Sequence, residues 1–262
     1  MSKQLYGRGV LVTRPAHQAG ELAALIAAAN GKPVLFPVLE ILDAEDLTPL
    51  YALIDSLDDF DMAIFISPNA VNKAMNLIKS RRELPPTLQI AAIGRGSSRE
   101  LKHFGIDKII APKERFDSEN LLALPELQEV TGRRIVIFRG DGGREILGDM
   151  LTERGATIVY AECYRRSRPD VNAGNLMRRW SRNEINAVTI TSSEGLRNLY
   201  DILGKLGRQW LKSTPIFVPH ERILLVAQEL GLSHGILTES GDEGLIAGMA
   251  DWFAQHNPRS GD

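Results

Sequence analysis

The chain has 262 residues, 44% of them hydrophobic and 24% charged, which is enough to bury one large core or two ordinary ones and excludes a disordered polypeptide. Lys and Arg number 31 against 33 Asp and Glu, a net charge of -2, so no whole-molecule field draws nucleic acid and any anion site must be local. A single cysteine, Cys163, excludes an intramolecular disulfide, and no two of the five histidines stand at metal-ligand spacing, so no metal is expected.

The opening Met1-Ser2-Lys3-Gln4 lacks the charged region, apolar core and cleavage site of a signal peptide, in that order. The longest apolar run, Leu22 to Ala29, falls far short of the roughly 20 residues that span a bilayer. The expectation is a cytoplasmic protein with no membrane partner. The first strand falls near 10–14 and ends in Arg14-Pro15, and Leu22, Leu25, Ile26 and Ala29 then share one helical face. Gly31 stands where a left-handed cap would close that helix, and Gly105, Gly155 and Gly231 hold the same place later. A strand near 33–37 leads into Leu39 to Pro49, where charge and proline replace apolar periodicity and a linker is expected.

A strand near 63–67 ends in Ser67-Pro68 before a helical face of Val71, Met75 and Ile78. Strands near 89–94 and 107–111 complete the first half, the former ending in Gly94-Arg95-Gly96-Ser97. The second half repeats the pattern: strands near 135–139, 157–162, 187–191, 215–219 and 235–238, a helix through Ile146, Leu147, Met150 and Leu151, and a second linker at Arg165 to Val171. Cys163 lies in an apolar strand-like run and reads as a small buried core residue.

The two halves are self-similar at an offset of about 125 residues. Arg8 to Pro15 aligns with Arg133 to Gly140, Ile66 to Val71 with Thr191 to Leu196, and Ile93-Gly94-Arg95 with Val218-Pro219-His220. Alternating β and α runs, twice over, predict an α/β fold of two flavodoxin-like, doubly wound parallel sheets from an internal duplication. Each domain could be one sequential half, or residues 1–35 could cross to join the C-terminal part.

In open parallel sheets ligands bind beyond the carboxyl ends of the strands. There the sequence puts Arg14-Pro15 and Arg139-Gly140, Ser67-Pro68 and Ser192-Ser193, and Gly94 to Ser97 and Pro219-His220. Hydroxyl caps, glycines and arginines at helix N-termini favour carboxylates or phosphates, although serine followed by proline after a strand is also ordinary capping that needs no ligand. Gly140-Asp141-Gly142-Gly143 lacks the spacing of a dinucleotide loop, and neither a Walker A sequence nor a G-x-S-x-G elbow occurs. Nucleotide cofactors and acyl transfer are therefore not indicated.

The ordered set Val10 to Pro15, Ile64 to Val71, Ile93-Gly94, Phe138 to Glu145, Glu162-Cys163-Tyr164 and Thr191 to Leu196 resembles the bacterial uroporphyrinogen-III synthases over nearly the whole chain. The resemblance implies two discontinuous α/β domains, 1–36 with 169–262 and 38–166, joined by a two-stranded connector near 37–42 and 163–170, with the active site in a cleft between them. It implies a cofactor-free, cyclising lyase that closes hydroxymethylbilane, an octacarboxylate, with inversion of ring D and loss of water. It also implies a monomer supplied by hydroxymethylbilane synthase. Tyr164 matches the family's most implicated tyrosine, and its phenol would protonate the departing hydroxyl, or else simply pack beside the connector. Ser67, Ser97 and Ser192 match hydroxyl positions thought to touch substrate, and Gly94, Thr191 and Ser193 flank them. Arg14, Arg139 and Arg144 would meet carboxylates or form ion pairs within a domain. His220 stands in Pro219-His220-Glu221-Arg222, where many members carry Gly-x-Thr-Thr, so its loop departs from the family pattern. The competing reading is a non-catalytic two-domain module that binds a small anionic metabolite. An oxidoreductase on such sheets is weaker still, for want of a phosphate loop.

Overall fold

Short apolar, β-branched runs become strands buried on both sides, and helices close the gaps between them. The structure, a computed structural model, describes residues 4–113, 116–142 and 145–256. In chain order it runs β1 (Gly9–Val12), α1 (Ala19–Ala28), β2 (Lys32–Leu35), β3 (Glu40–Asp43), α2 (Thr48–Asp55), β4 (Met62–Phe65), α3 (Pro68–Arg81), β5 (Gln89–Ala92), α4 (Arg95–His103) and α5 (Ser118–Leu122). It continues through β6 (Arg134–Gly140), α6 (Ile146–Glu153), β7 (Thr157–Ser167), α7 (Gly174–Ser181), β8 (Ala187–Thr189), α8 (Ser193–Ser213), β9 (Ile216–Val218), α9 (Glu221–Glu229), β10 (Gly235–Leu237) and α10 (Asp242–His256). The chain divides into two compact units, one running through Glu40 and resuming at Ser167, the other spanning Ile41–Arg166.

The first unit holds a sheet in the order β10-β9-β8-β1-β2, and its strand pairs are parallel. Alternation along β1 sends Leu11 to one face and Val10 and Val12 to the other. Leu11, Val188 and Val218 pack with Trp180, Leu199 and Ile223. Val10, Val12 and Phe217 pack with Leu22, Ile26, Met249 and Phe253. Helices cover both faces because each face is apolar. The second unit's sheet runs β3-β7-β6-β4-β5, with parallel pairing among β5, β4, β6 and β7. On one face Phe65 and Phe138 stack, ring centroids 4.8 Å apart, among Ile54, Val71, Met75 and Leu101. On the other Met62, Ile64 and Ile137 meet Leu121, Leu147 and Leu151.

Among the described residues five helices close with paired bonds from the left-handed cap motif, α7 doing so through Asn183 at φ 56°. For α4, α6 and α9 the left-handed residue is the expected glycine, Gly105, Gly155 or Gly231. At α1 it is Asn30 instead, at φ 57°, while Gly31 donates to the Ile26 carbonyl at 2.8 Å. Gly31 answers a different need: a Cβ there would lie 2.9 Å from side-chain carbons of Ile26 and Leu5.

The structure differs from these expectations in three places. The strand expected near 107–111 is a single bridge, Ile110 to Ala91, because Asp107 and Lys108 are exposed and leave only Ile110 to hold the edge. The linker expected at Leu39 to Pro49 contains β3 and the start of α2. β3 is a half-exposed edge strand, so its sequence lacks the apolar run that marks the interior strands. The second expected linker, from Arg165, begins while β7 is still extended to Ser167.

Gly9 opens the central β1 with no room for a side chain, since a Cβ would sit 1.7 Å from the Glu184 carbonyl oxygen. Gly9→Ala should therefore cost about 3 kcal/mol, the upper part of the overpacking range, read as a lower urea midpoint at unchanged m-value. An unaltered midpoint would contradict the packing of β1 against the turn at Glu184.

Candidate functional site

The site begins with a slip in the ladder between β6 and β7. Arg139 faces Glu162, but the next residue, Gly140, faces Tyr164, and Cys163 is left as the extra residue of a β-bulge. Strict alternation would send Cys163 and Tyr164 to opposite faces. Past the bulge, Ala161, Cys163 and Tyr164 all join one core cluster with Phe65, Val136 and Phe138. Tyr164 is only 5% exposed. Its ring lies over Gly140, where a Cβ would come within 2.5 Å of Cε2, so glycine is what lets the ring occupy that place.

The phenol oxygen and Ser67 Oγ share a hydrogen bond of 3.0 Å. Ser67 follows β4 and caps α3, its Oγ accepting from the Ala70 N–H at 3.0 Å, with Pro68 in the first helical turn. The bulge is tied down from the other side as well. The Asp141 N–H donates to the Tyr164 carbonyl at 2.8 Å, and the Arg166 N–H donates to Asp141 Oδ1 at 2.9 Å. Arg139, 3% exposed, donates from Nε to the carbonyls of Gly140 and Gly142 at 3.3 and 3.1 Å and lies over the Tyr160 ring, 4.7 Å from its centroid. Its guanidinium thus braces the loop that follows β6.

Burial raises the Tyr164 pKa, and the hydrogen bond it shares with Ser67 opposes that rise. Burial also pushes the Cys163 thiol up to about 12. Both groups are therefore neutral at physiological pH, and the phenol is a proton donor rather than a base. A pocket of about 730 Å³ opens beside Tyr164, and its lining includes Glu45, Asp46, Asp141, Glu162 and Arg165. This acid-rich wall comes from β3–α2, β6 and β7, too far apart in sequence to be read as a set.

The structure brings Ser67, Gly94, Arg139 and Tyr164 to the carboxyl ends of β4, β5, β6 and β7. Gly94 caps α4 with backbone alone, and Ser97 is buried in that helix at 2% exposure. Arg144 lies outside the described residues. In the first unit Thr191, Ser192 and Ser193 follow β8, with Ser192 Oγ accepting from the Gly195 N–H at 2.9 Å, and His220 caps α9 without a side-chain cap bond. Arg14 follows β1 and pairs with Asp242 of the same unit at 2.5 Å. Among the described residues no group of three or more His, Cys, Asp or Glu could hold a metal ion, and no helix is long and apolar enough to cross a membrane.

The sequence profile of the family described as Uroporphyrinogen-III synthase HemD matches residues 20–247. The chain belongs to the uroporphyrinogen-III synthase family. The uroporphyrinogen-III synthase of Escherichia coli (strain K12) is 34% identical to this family member over 224 residues, covering 85% of this chain and 91% of that protein. That of Salmonella typhimurium (strain LT2) is 33% identical over 224 residues, with the same coverage. Among solved structures, a mutant uroporphyrinogen III synthase from the extremely thermophilic bacterium Thermus thermophilus aligns with a TM-score of 0.63 at 17% identity, covering 95% of this chain and 97% of that one. The enzyme from Helicobacter pylori 26695 aligns at 0.58 with 14% identity, covering 96% and 99%. At those identities the structural likeness establishes the α/β fold of the family member, and the family itself rests on the sequence matches.

Two outcomes test this geometry. The folded protein keeps a proton on Cys163 that the unfolded chain releases near pH 9, so the stability from burying the neutral thiol is complete below pH 9 and is lost as pH rises toward about 12. Cys163→Ala should flatten that alkaline loss, on the order of 2–4 kcal/mol, in urea unfolding across the range. An equally steep alkaline limb in the variant would contradict the buried thiol. Separately, Ser67→Ala should raise the Tyr164 pKa further, since the Ser67 hydrogen bond lowers it, and should cost about 1 kcal/mol through the lost cap. Ultraviolet phenolate titration of that variant, set beside Tyr164→Phe, reads the first effect, and an unmoved titration would dissociate the two hydroxyls.

Proposed function

We propose that the chain is a cofactor-free uroporphyrinogen-III synthase that closes hydroxymethylbilane with loss of water and inversion of ring D. Membership of the family across residues 20–247 carries this reading. Tyr164 is assigned as the proton donor because it is buried, neutral at working pH and placed beside a pocket. With Ser67 donating to the phenol oxygen, the phenol O–H is left for substrate, and the phenolate formed on transfer keeps a hydrogen bond.

In the proposed sequence Tyr164 protonates the ring A hydroxymethyl oxygen, the C–O bond breaks, water leaves, and a cationic azafulvenium remains. The substituted α-carbon of ring D attacks it to give a spiro intermediate. The bond from that carbon to its old bridge then breaks, and the released bridge rejoins at the free α-carbon of ring D. The proton lost there as aromaticity returns restores the phenol. Asp141 and Glu162 in the pocket wall suit the cationic stages. The bilane closes unaided to the other isomer, so the enzyme's task is to hold one conformation, an orientation effect that can be worth ~7–11 kcal/mol.

We also read the two sheets as flavodoxin-like duplicates, in discontinuous domains near 1–36 with 169–262 and near 38–166, joined by a connector near 37–42 and 163–170. Supporting this, the order β2-β1-β8-β9-β10 matches β7-β6-β4-β5 followed by the bridged Ile110 once each strand is exchanged for its counterpart in the other half. A monomeric, cytoplasmic enzyme supplied with bilane by hydroxymethylbilane synthase completes the proposal, and Arg139, Gly94, Ser97, Thr191, Ser192, Ser193 and His220 are its substrate-side residues.

Freshly made hydroxymethylbilane incubated with the protein should give the III isomer in an isomer-resolved chromatogram. Only the I isomer would contradict an enzyme and favour a module that binds an anionic metabolite. Tyr164→Phe should lower kcat by about 10²-fold while the protein stays folded, and undiminished turnover would return Tyr164 to a packing role.

A further inference from the structure

A second pocket of the Ile41–Arg166 unit, about 370 Å³ in volume, has the opposite charge. Arg95, Ser98, Arg99 and Lys102 follow one another at i, i+3, i+4 and i+7 and share one face of α4. Lys113 and Phe116, from the stretch after the bridged Ile110, line the other side. The Arg95 guanidinium lies over the Phe116 ring, 4.7 Å from its centroid, which restrains the fork without consuming its outer N–H groups. Among the described residues four cationic side chains line this pocket and no acidic one does, whereas the pocket beside Tyr164 is lined by four acids and one arginine. Ser98 Oγ, itself shielded from solvent, has no hydrogen-bond partner among the described residues.

Topology puts this cluster on the ligand side of the sheet. α4 starts at the carboxyl end of β5, and Pro112 and Lys113 follow the neighbouring bridge, which is parallel to β5. Adjacent carboxyl ends of parallel strands are where open α/β sheets take their ligands.

We propose that this pocket is a carboxylate subsite that takes acetate or propionate arms of the tetrapyrrole, with Arg95, Lys102 and Lys113 as the cations and the Ser98 hydroxyl as a neutral donor. The identity of the anion rests on the function proposed above, whereas its binding does not. The division of labour is electrostatic: the acidic pocket excludes the arms and meets the pyrrole nucleus, and the basic pocket collects the arms.

The test uses the full-length protein, the Arg95→Gln/Lys102→Gln double variant and Lys102→Arg. Uroporphyrin, an inert fluorescent octacarboxylate, is titrated at low and high salt, and inorganic phosphate is titrated in parallel. The double variant should bind uroporphyrin about tenfold more weakly, with a shallower salt dependence, and its KM for hydroxymethylbilane should rise by a similar factor at nearly constant kcat. Lys102→Arg should keep near-native affinity, because the charge is retained. Unchanged affinity and KM in the double variant would overturn the proposal. So would phosphate binding that the double variant loses while uroporphyrin affinity stays the same, which would assign the pocket to a free anion. If the unaltered protein made no III isomer, the enzyme reading would fail, and the uroporphyrin titration would still decide the pocket.

Discussion

One unpaired residue in one strand sets the chemistry of the Ile41–Arg166 unit. Because Cys163 has no partner on β6, Tyr164 turns to the same face as the residues before it and meets Gly140 across the ladder. The missing Cβ of Gly140 gives the ring its place, and Ser67, from the end of a different strand, meets its hydroxyl. Three chain segments are thus locked around one phenol. Burial then favours the protonated phenol, and its neighbours hold it rigidly.

Charge is divided around this point. With a net charge of -2, the protein has no long-range field to steer an octacarboxylate, so attraction must come from local clusters. The wall beside Tyr164 is acidic and suits a ring that becomes cationic, while the α4 face is basic and suits the arms. Within this unit, helix N-termini at Ser67 and Gly94 add oriented N–H groups without buried countercharge. Arg14 and Arg139, carboxylate partners by residue type, are also engaged within the fold. Arg14 is held by Asp242, and Arg139 by two backbone carbonyls and the Tyr160 ring.

The sequence was most readable where burial is most complete. Strands such as Val10-Leu11-Val12 and Ile135 to Phe138 are buried on both faces, so they stand out as apolar runs, and the offset of about 125 residues between halves exposes their kinship. Legibility fails at edges. β3 sets two half-buried residues between exposed ends, and the stretch 107–111 holds only one bridge, so neither carries a clean pattern. Asn30 took the left-handed cap expected of Gly31 because asparagine tolerates that conformation and Gly31 was needed for close packing. Tyr164 was readable only through resemblance to a family. The bulge that aims it depends on the register of two strands, which no single segment of sequence records. The same holds for the acidic pocket, whose carboxylates lie on segments scattered from Glu45 to Glu162.

What decides the mechanism is where a bound tetrapyrrole lies relative to the Tyr164 hydroxyl. A crystal structure of the protein with its cyclised product is the most direct measurement. It should place the bridge between rings A and D within hydrogen-bonding or van der Waals reach of that hydroxyl, about 3–4 Å, with Gly140 still beneath the aromatic ring. A product bound elsewhere, with Tyr164 and Ser67 closed on each other and no pyrrole in the adjacent pocket, would contradict it.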